Sequence, residues 1–144
     1  MILAIDIGNT NTVLGCWQGD SLLFTLRIRS DRHKTADEYG LLLDGLLNRQ
    51  GVDPRALEGG ILSSVVPELR TVMAQAAEAL TGKKFLVVGS GIKTGLDIRI
   101  DDPSKLGADL VVDAVAALAE YAPPLAIFDM GTATTLSVVG RSGT

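Results

Sequence analysis

The sequence predicts an α/β fold, and three observations lead to that prediction. Residues 1–28 contain three short apolar or alternating runs separated by turn residues, as in a meander of strands. Helical and strand periodicities then alternate along the chain, which gives the order β-β-β-α-β-α-β-α-β-β. Finally, the start of the chain and residues 126–135 share one strand–loop–strand pattern.

The opening meander is predicted from its turns. Gly8 and Asn9 follow the first apolar run, and residues 18–21 (QGDS) have the composition of a tight turn. Between these turns, β-branched and apolar residues predominate, which favours strands. The predicted strands are residues 1–5, 12–17 and 22–28.

The first helix is predicted at residues 35–49. Tyr39, Leu43 and Leu47 recur at helical spacing. Thr35 followed by Glu38 fits a capping box at the amino end, and Gly51 is a plausible stop.

Apolar runs bounded by Gly and Pro predict the later strands, and helical periodicity predicts the later helices. Residues 103–121 are rich in Ala and Val and predict a helix that is buried on most of its circumference. Residues 129–131 are predicted to form a turn, and residues 89–102 have mixed character. The other predicted elements are strands at 60–66, 84–88, 125–128 and 134–139 and a helix at 68–80.

Composition and charge narrow the classes of function. The 144 residues are 47% hydrophobic and 21% charged, which is typical of a globular chain with a sizeable core. A net charge of −4 argues against a nucleic-acid partner, and no apolar run reaches the roughly 18 residues of a membrane span. The amino end lacks the basic region of a signal peptide. Cys16 is the single cysteine, so no internal disulfide is possible, and we expect a cytoplasmic protein.

The repeated pattern joins residues 3–12 (LAIDIGNTNT) to residues 126–135 (AIFDMGTATT). Glycine lets a backbone approach a ligand closely, and clustered N–H groups and hydroxyls suit phosphate oxygens. Asp6 can hold a hydrated magnesium ion, which uses one or two carboxylates plus water and phosphate. One such loop is equally compatible with an ordinary turn, but two favour a pair of loops that clamp a triphosphate.

The doubled loop resembles the phosphate signature of the actin, sugar-kinase and Hsp70 superfamily. Within it, the sequence resembles the type III pantothenate kinases over essentially the whole chain. The resemblance implies an actin-like (ribonuclease H-like) duplicated α/β fold, with a complete first subdomain at 1–122 and a truncated second subdomain that starts at 123–144. The matching segments are DIGNTNTV (6–13), SSVVP (63–67), KTGL (93–96) leading to DPSKLGAD (102–109), and DMGTATT (129–135).

The resemblance also implies roles for residues. Asp109 matches the proton acceptor for the pantothenate hydroxyl, and Asp129 matches the ligand of a monovalent cation, K+ or NH4+. From the residues alone, the preferred interpretation of Asp109 is a helix-starting aspartate favoured by the helix dipole. The family also implies ATP with Mg2+, cytoplasmic homodimers and a pantothenate pocket at the subunit interface. The implied ATP-binding residues are Asp6, Ile7, Gly8, Asn9, Thr10, Asn11, Thr12, Val13 and Thr132, and the implied substrate-binding residues are Ile100, Gly107, Ala108, Asp109 and Leu110.

Three positions and the length depart from the family pattern. Leu110 stands where the family usually has an arginine, a natural partner for the pantothenate carboxylate. Because a hydrogen bond to a charged group contributes about 1.5–3 kcal/mol, its loss could weaken pantothenate binding by about ten- to hundredfold. Ile100 stands where many members carry a substrate-contacting tyrosine, and Ser137 replaces a common aspartate. Family members are longer, so we expect this chain to be a fragment.

Two other functions stay open at this point. Leu110 would suit a non-catalytic regulatory or nucleotide-binding relative, of the kind described as transcription accessory factors. A kinase for another small molecule would keep both phosphate loops and change the segment around Leu110. The basic residues Arg27, Arg29, Arg32 and Lys34 form either a solvated face or an anion contact. Trp17 belongs to the core or to a dimer interface, Cys16 is expected in the core, and His33 in a solvated loop.

Overall fold

The computed structural model describes residues 1–89, 92–100, 106–131 and 133–142. The order of strands and helices matches the predicted order, with a short 3₁₀ helix added at Pro54–Ala56. The elements are β1 (Ile2–Ile7), β2 (Asn11–Gln18), β3 (Ser21–Arg29), α1 (Ala36–Arg49), β4 (Gly59–Ser64), α2 (Pro67–Thr81), β5 (Phe85–Val87), α3 (Ala108–Glu120), β6 (Leu125–Met130) and β7 (Thr134–Val139).

The chain divides into two compact units, Met1–Val88 and Gly89–Thr144. The first unit contains a five-stranded mixed sheet in the order β3-β2-β1-β4-β5. Strands β1, β2 and β3 pair antiparallel, whereas β1–β4 and β4–β5 pair parallel. The α/β class is therefore confirmed. The subdomain boundary between residues 122 and 123 concerns the actin-like duplication and stays a prediction.

The core of the first unit lies between one face of this sheet and the helices α1 and α2. Alternate residues of β1 are buried, because successive side chains of a strand point to opposite faces. Cys16 is fully buried, as expected, and burial raises the pKa of its thiol. The sheet contributes Leu3, Ile5, Ile7, Leu14, Cys16 and Leu62, and the helices contribute Tyr39, Leu43, Leu47, Leu69, Met73, Ala76 and Ala77.

Local capping explains where the two helices begin and end. The Thr35 side chain accepts a hydrogen bond from the Glu38 N–H, and Glu38 Oε2 accepts one from the Thr35 N–H at 2.7 Å. This confirms the predicted capping box. Pro67 occupies the first turn of α2, and Gly82 ends that helix with a left-handed φ of 71°.

The second unit packs α3 against the antiparallel hairpin β6–β7. One face of this hairpin is exposed, including Phe128 and Met130 at 61% and 81% of their accessible surface. Cross-strand partners share a face, and Leu136 lies opposite Phe128 on that same exposed face. Among the described helices, none combines the length and apolar character that crossing a membrane requires.

Several predicted details are wrong. Asp129 and Met130 belong to β6 and not to a turn, because they pair with Thr135 and Thr134 of β7. Helix α3 is not buried on most of its circumference, since Ala114 is its one buried residue. An Ala- and Val-rich composition permits burial, but a packing partner has to supply it. The predicted strand 60–66 ends at Ser64. The helix predicted within residues 103–121 is α3, and residues 101–105 lie outside the described part of the chain.

Candidate functional site

The first predicted phosphate loop joins β1 to β2. Asp6 lies within β1, where it pairs with Val13 of β2 on one side and with Ser63 of β4 on the other. The N–H of Gly8 donates to the Asn11 carbonyl at 3.0 Å, which closes the loop between strand partners. A Cβ on Gly8 would lie 3.0 Å from that oxygen, so the tight closure favours glycine.

Side chains of this loop point in different directions. Ile7 and Thr12 are fully buried, and the Thr12 hydroxyl pairs with that of Ser30 at 2.9 Å. These two side chains therefore belong to the core and are not part of the loop surface. The four exposed residues among the predicted ATP-binding positions of this loop are Asp6, Asn9, Thr10 and Asn11.

Part of the basic cluster adjoins this loop. Arg32 Nη2 donates to Asn9 Oδ1 at 3.1 Å, and Arg29 lies opposite Asn11 in the β2–β3 register. Lys34 lies 3.7 Å from the Asp31 carboxylate instead. Of the two interpretations of the cluster, this placement favours an anion contact, because guanidinium groups match phosphate geometry.

The second hairpin repeats the arrangement with a shorter loop. The N–H of Gly131 donates to the Ala133 carbonyl at 3.2 Å, two residues on, whereas Gly8 reaches three residues on. The paired strands accordingly enclose residues 131–133 here and residues 8–11 in the first hairpin. Thr132 lies outside the described residues. The two hairpins therefore correspond residue by residue up to their glycines. After the glycines, the strand pairing of the second hairpin is offset by one residue from that of the first.

Each of the two aspartates lies opposite a residue with an unsatisfied hydroxyl. Ser63 is paired with Asp6, and Thr135 is paired with Asp129. The hydroxyl oxygens of Ser63 and Thr135 are buried and have no hydrogen-bond partner within the described chain. Since buried polar groups are normally hydrogen-bonded, each orphan hydroxyl is a candidate ligand contact beside a carboxylate.

The start of α3 holds the predicted catalytic residue, Asp109. Gly107 is the N-cap residue, and Asp109 lies in the first turn, where the helix dipole favours a negative charge. The Leu110 N–H donates to Asp109 Oδ1 at 2.9 Å. A Cβ on Gly107 would lie only 2.2 Å from that oxygen. Glycine at 107 therefore gives the Asp109 carboxylate the space it occupies.

An apolar pocket of about 520 Å³ lies within the second unit. Its volume is in the range of small-molecule sites, roughly 300–1,000 Å³. Two predicted substrate residues, Ile100 and Leu110, line it together, and Ser137 lines it from β7. The N-cap residue Gly107 and the first two residues of α3, Ala108 and Asp109, precede Leu110 and are half-buried.

Sequence reasoning missed two charged residues at this pocket, Asp97 and Arg99. The segment 96–100 was the available signal, because its charged residues are interleaved with apolar residues that line the same pocket. The orphan hydroxyls were also missed, since a serine or threonine within a strand carries no local mark of being unsatisfied.

The oxygen donors at the two hairpins indicate which metal ions could bind there. Among the described residues, no cluster of three or more His, Cys, Asp or Glu side chains could hold a metal ion. Magnesium bound largely through water and phosphate needs only one or two carboxylates, which the exposed Asp6 can provide. Asp129 and the Thr135 hydroxyl face the same side of their hairpin and offer oxygen donors to a monovalent cation. The residues therefore fit both ions.

The structure combines a mixed α/β fold with two aspartate-bearing glycine hairpins, and clustered N–H groups and hydroxyls of this kind suit phosphate oxygens. A family model described as type III pantothenate kinase matches residues 2–144, and the chain belongs to that family.

Named relatives agree with this assignment. A type III pantothenate kinase of Exiguobacterium sp. is 50% identical over 135 residues, which are 94% of this chain and 53% of the relative. Those of Moorella thermoacetica and Geobacillus kaustophilus are 46% and 48% identical, over 99% and 98% of this chain and 56% and 55% of the relatives. The chain thus spans about half the length of the curated relatives it matches.

Proposed function

We propose that the complete protein transfers the γ-phosphoryl group of ATP to pantothenate and forms 4′-phosphopantothenate, the first step of coenzyme A biosynthesis. The observation that carries this proposal is the pocket lined by Ile100 and Leu110, next to the helix turn that holds Asp109. Pantothenate carries an apolar gem-dimethyl group beside its primary hydroxyl, which suits an apolar pocket adjoining a carboxylate. The named relatives of this family support the same reaction.

Asp109 is proposed to accept the proton of the pantothenate hydroxyl. The hydroxyl oxygen then bonds to the γ-phosphorus, the bond to the bridging oxygen breaks, and ADP leaves. Phosphoryl transfer depends mainly on positioning and electrostatic stabilisation, with an aspartate orienting or deprotonating the nucleophile. The Leu110 N–H that donates to Asp109 Oδ1 orients the carboxylate for this role.

The phosphates of ATP are proposed to bind at the two hairpins, at residues 6–13 and at Thr132. The exposed polar residues of the first loop and the adjoining Arg32 support the first contact. Asp6 would hold magnesium through water, and Asp129 with Thr135 would hold K+ or NH4+. Bound magnesium neutralises charge on the phosphates during transfer.

The proposal extends to the whole architecture. The β1–β2 and β6–β7 hairpins would be equivalent parts of an actin-like duplicated fold, with subdomains that divide near residue 122. A homodimer with the pantothenate pocket at its interface would complete the site. The exposed Trp17, at 40% of its accessible surface, is available for such an interface.

The test is formation of 4′-phosphopantothenate by the complete protein, supplied with ATP, pantothenate, magnesium and potassium. We expect turnover by the wild type and a loss of at least about a hundredfold in kcat for Asp109→Asn, because general-base catalysis contributes about 10²–10⁴-fold. Unchanged binding of pantothenate by Asp109→Asn in calorimetry would separate catalysis from folding. A folded wild type that binds ATP but yields no product would favour the non-catalytic alternative.

A further inference from the structure

The pocket of the second unit contains a charged group whose role the proposed reaction does not assign. Its lining is largely apolar, with Ile98, Ile100 and Leu110 among the contributing residues. Arg99 is the single cationic residue among the described residues that line it. A lone guanidinium among the residues that line an apolar pocket is suited to a ligand that carries both an apolar group and a carboxylate.

Pantothenate has that form, because its β-alanine end is a carboxylate. Leu110 lines the same pocket but offers the carboxylate no hydrogen-bond donor. Without a cation, a carboxylate entering this pocket would lose water and gain no compensating partner. We propose that Arg99 binds the pantothenate carboxylate and thereby determines specificity for the acid over neutral analogues. This inference rests on the proposed function.

The Arg99 guanidinium is paired with the Asp97 carboxylate. Arg99 Nε and Nη2 both donate to Asp97 Oδ2, at 3.0 and 2.8 Å. Both side chains are largely exposed, at 73% for Arg99 and 59% for Asp97, so this ion pair is weak and exchangeable. Both donors meet one oxygen, which leaves the other guanidinium nitrogen for a ligand. Asp97 therefore competes with the substrate carboxylate for Arg99.

This competition predicts opposite effects for two neutralising substitutions. Arg99→Gln should raise KM for pantothenate by about ten- to hundredfold with little change in kcat, since it removes a charge-assisted hydrogen bond remote from the reacting hydroxyl. Asp97→Asn should lower KM for pantothenate, because the competing carboxylate is gone.

The experiment compares kcat/KM for pantothenate with that for a pantothenamide, in which a neutral amide replaces the carboxylate. Wild type should prefer the acid, and Arg99→Gln should lose that preference while it retains activity on the amide. Adding Leu110→Arg to Arg99→Gln should restore the preference from another wall of the pocket. Arg141→Gln, an exposed cation of the same unit outside the pocket lining, is the matched control.

An unchanged preference for the acid in Arg99→Gln, or an equal loss on both substrates, would overturn the role of Arg99 and leave the proposed function standing. A wild type that turns over neither compound and shows no pantothenate binding in calorimetry would overturn both. A thermal unfolding midpoint that matches the wild type verifies that Arg99→Gln is folded.

Discussion

Replacing Gly107 by alanine should lower turnover by about a hundredfold and leave the fold intact. The added Cβ would lie 2.2 Å from Asp109 Oδ1 and 3.3 Å from its carboxyl carbon. A relaxed contact between carbon and oxygen needs about 3.3 Å, so the oxygen must move by roughly 1 Å. That movement disrupts the hydrogen bond from the Leu110 N–H. A displacement of this size at a reacting group costs about 10²-fold in rate.

The backbone at Gly107 does not itself require glycine. Its φ of −64° and ψ of 146° are accessible to any residue, so alanine introduces no backbone strain. Loss of a favourable N-cap residue should cost no more than about 1 kcal/mol in the free energy of unfolding. The predicted defect is therefore in kcat, with nearly normal stability.

The assay is steady-state formation of 4′-phosphopantothenate, with urea unfolding of each variant. Gly107→Ser distinguishes a loss of helix capping from a displaced Asp109 carboxylate. Serine is a preferred N-cap residue, and yet it carries the same Cβ as alanine. Gly45→Ala on α1 is the control, because among the described residues no atom beyond its chain neighbours and the nearby backbone of its own helix lies within 4 Å of the added Cβ. A kcat within threefold of wild type in both position-107 variants would refute the link between this glycine and the Asp109 carboxylate.

Two further predictions concern stability. Gly60→Ala should lower the free energy of unfolding by about 1–3 kcal/mol, because its Cβ would lie 2.6 Å from the Leu3 carbonyl oxygen. A urea midpoint equal to that of the wild type would contradict this prediction. Glu78 gives a pH dependence: hydrogen bonds from Lys84 Nζ and the Phe85 N–H lower the pKa of Glu78 below its ordinary 4.5. The stabilisation is therefore fully present above pH 4.5 and is lost as pH falls through the lower folded-state pKa. Glu78→Gln should lose less of its urea midpoint than wild type when the pH is lowered from about 5 to about 3, and equal losses would rule out this carboxylate as a source of acid sensitivity.

Prediction from sequence succeeded where neighbouring residues decide the structure. The Thr35–Glu38 capping box and the end of α2 at Gly82 depend on groups within a few residues of each other. It failed where distant pairing overrides a local preference. Asp129 and Met130 look like turn residues, but pairing with β7 extends the strand through them.

The same difference between local and distant contacts decides which parts of the candidate site could be predicted. Short motifs located the two glycine hairpins and the aspartates beside them, because turn chemistry is local. The partners of those aspartates are not local. Ser63 reaches Asp6 only through parallel pairing of β4 with β1, and its hydroxyl is orphaned by that burial.

The amino-acid sequence alone is enough to predict the α/β class, the order of elements and the family. Periodicity, helix caps and motifs all depend on residues that are close together in the chain. The strand order β3-β2-β1-β4-β5, the approach of Gly107 to Asp109 and the place of Arg99 at an apolar pocket appear only in three dimensions. Each of these depends on side-chain direction or on contacts between segments far apart in the chain. Such contacts are set by which packed arrangement buries the most apolar surface while satisfying its polar groups.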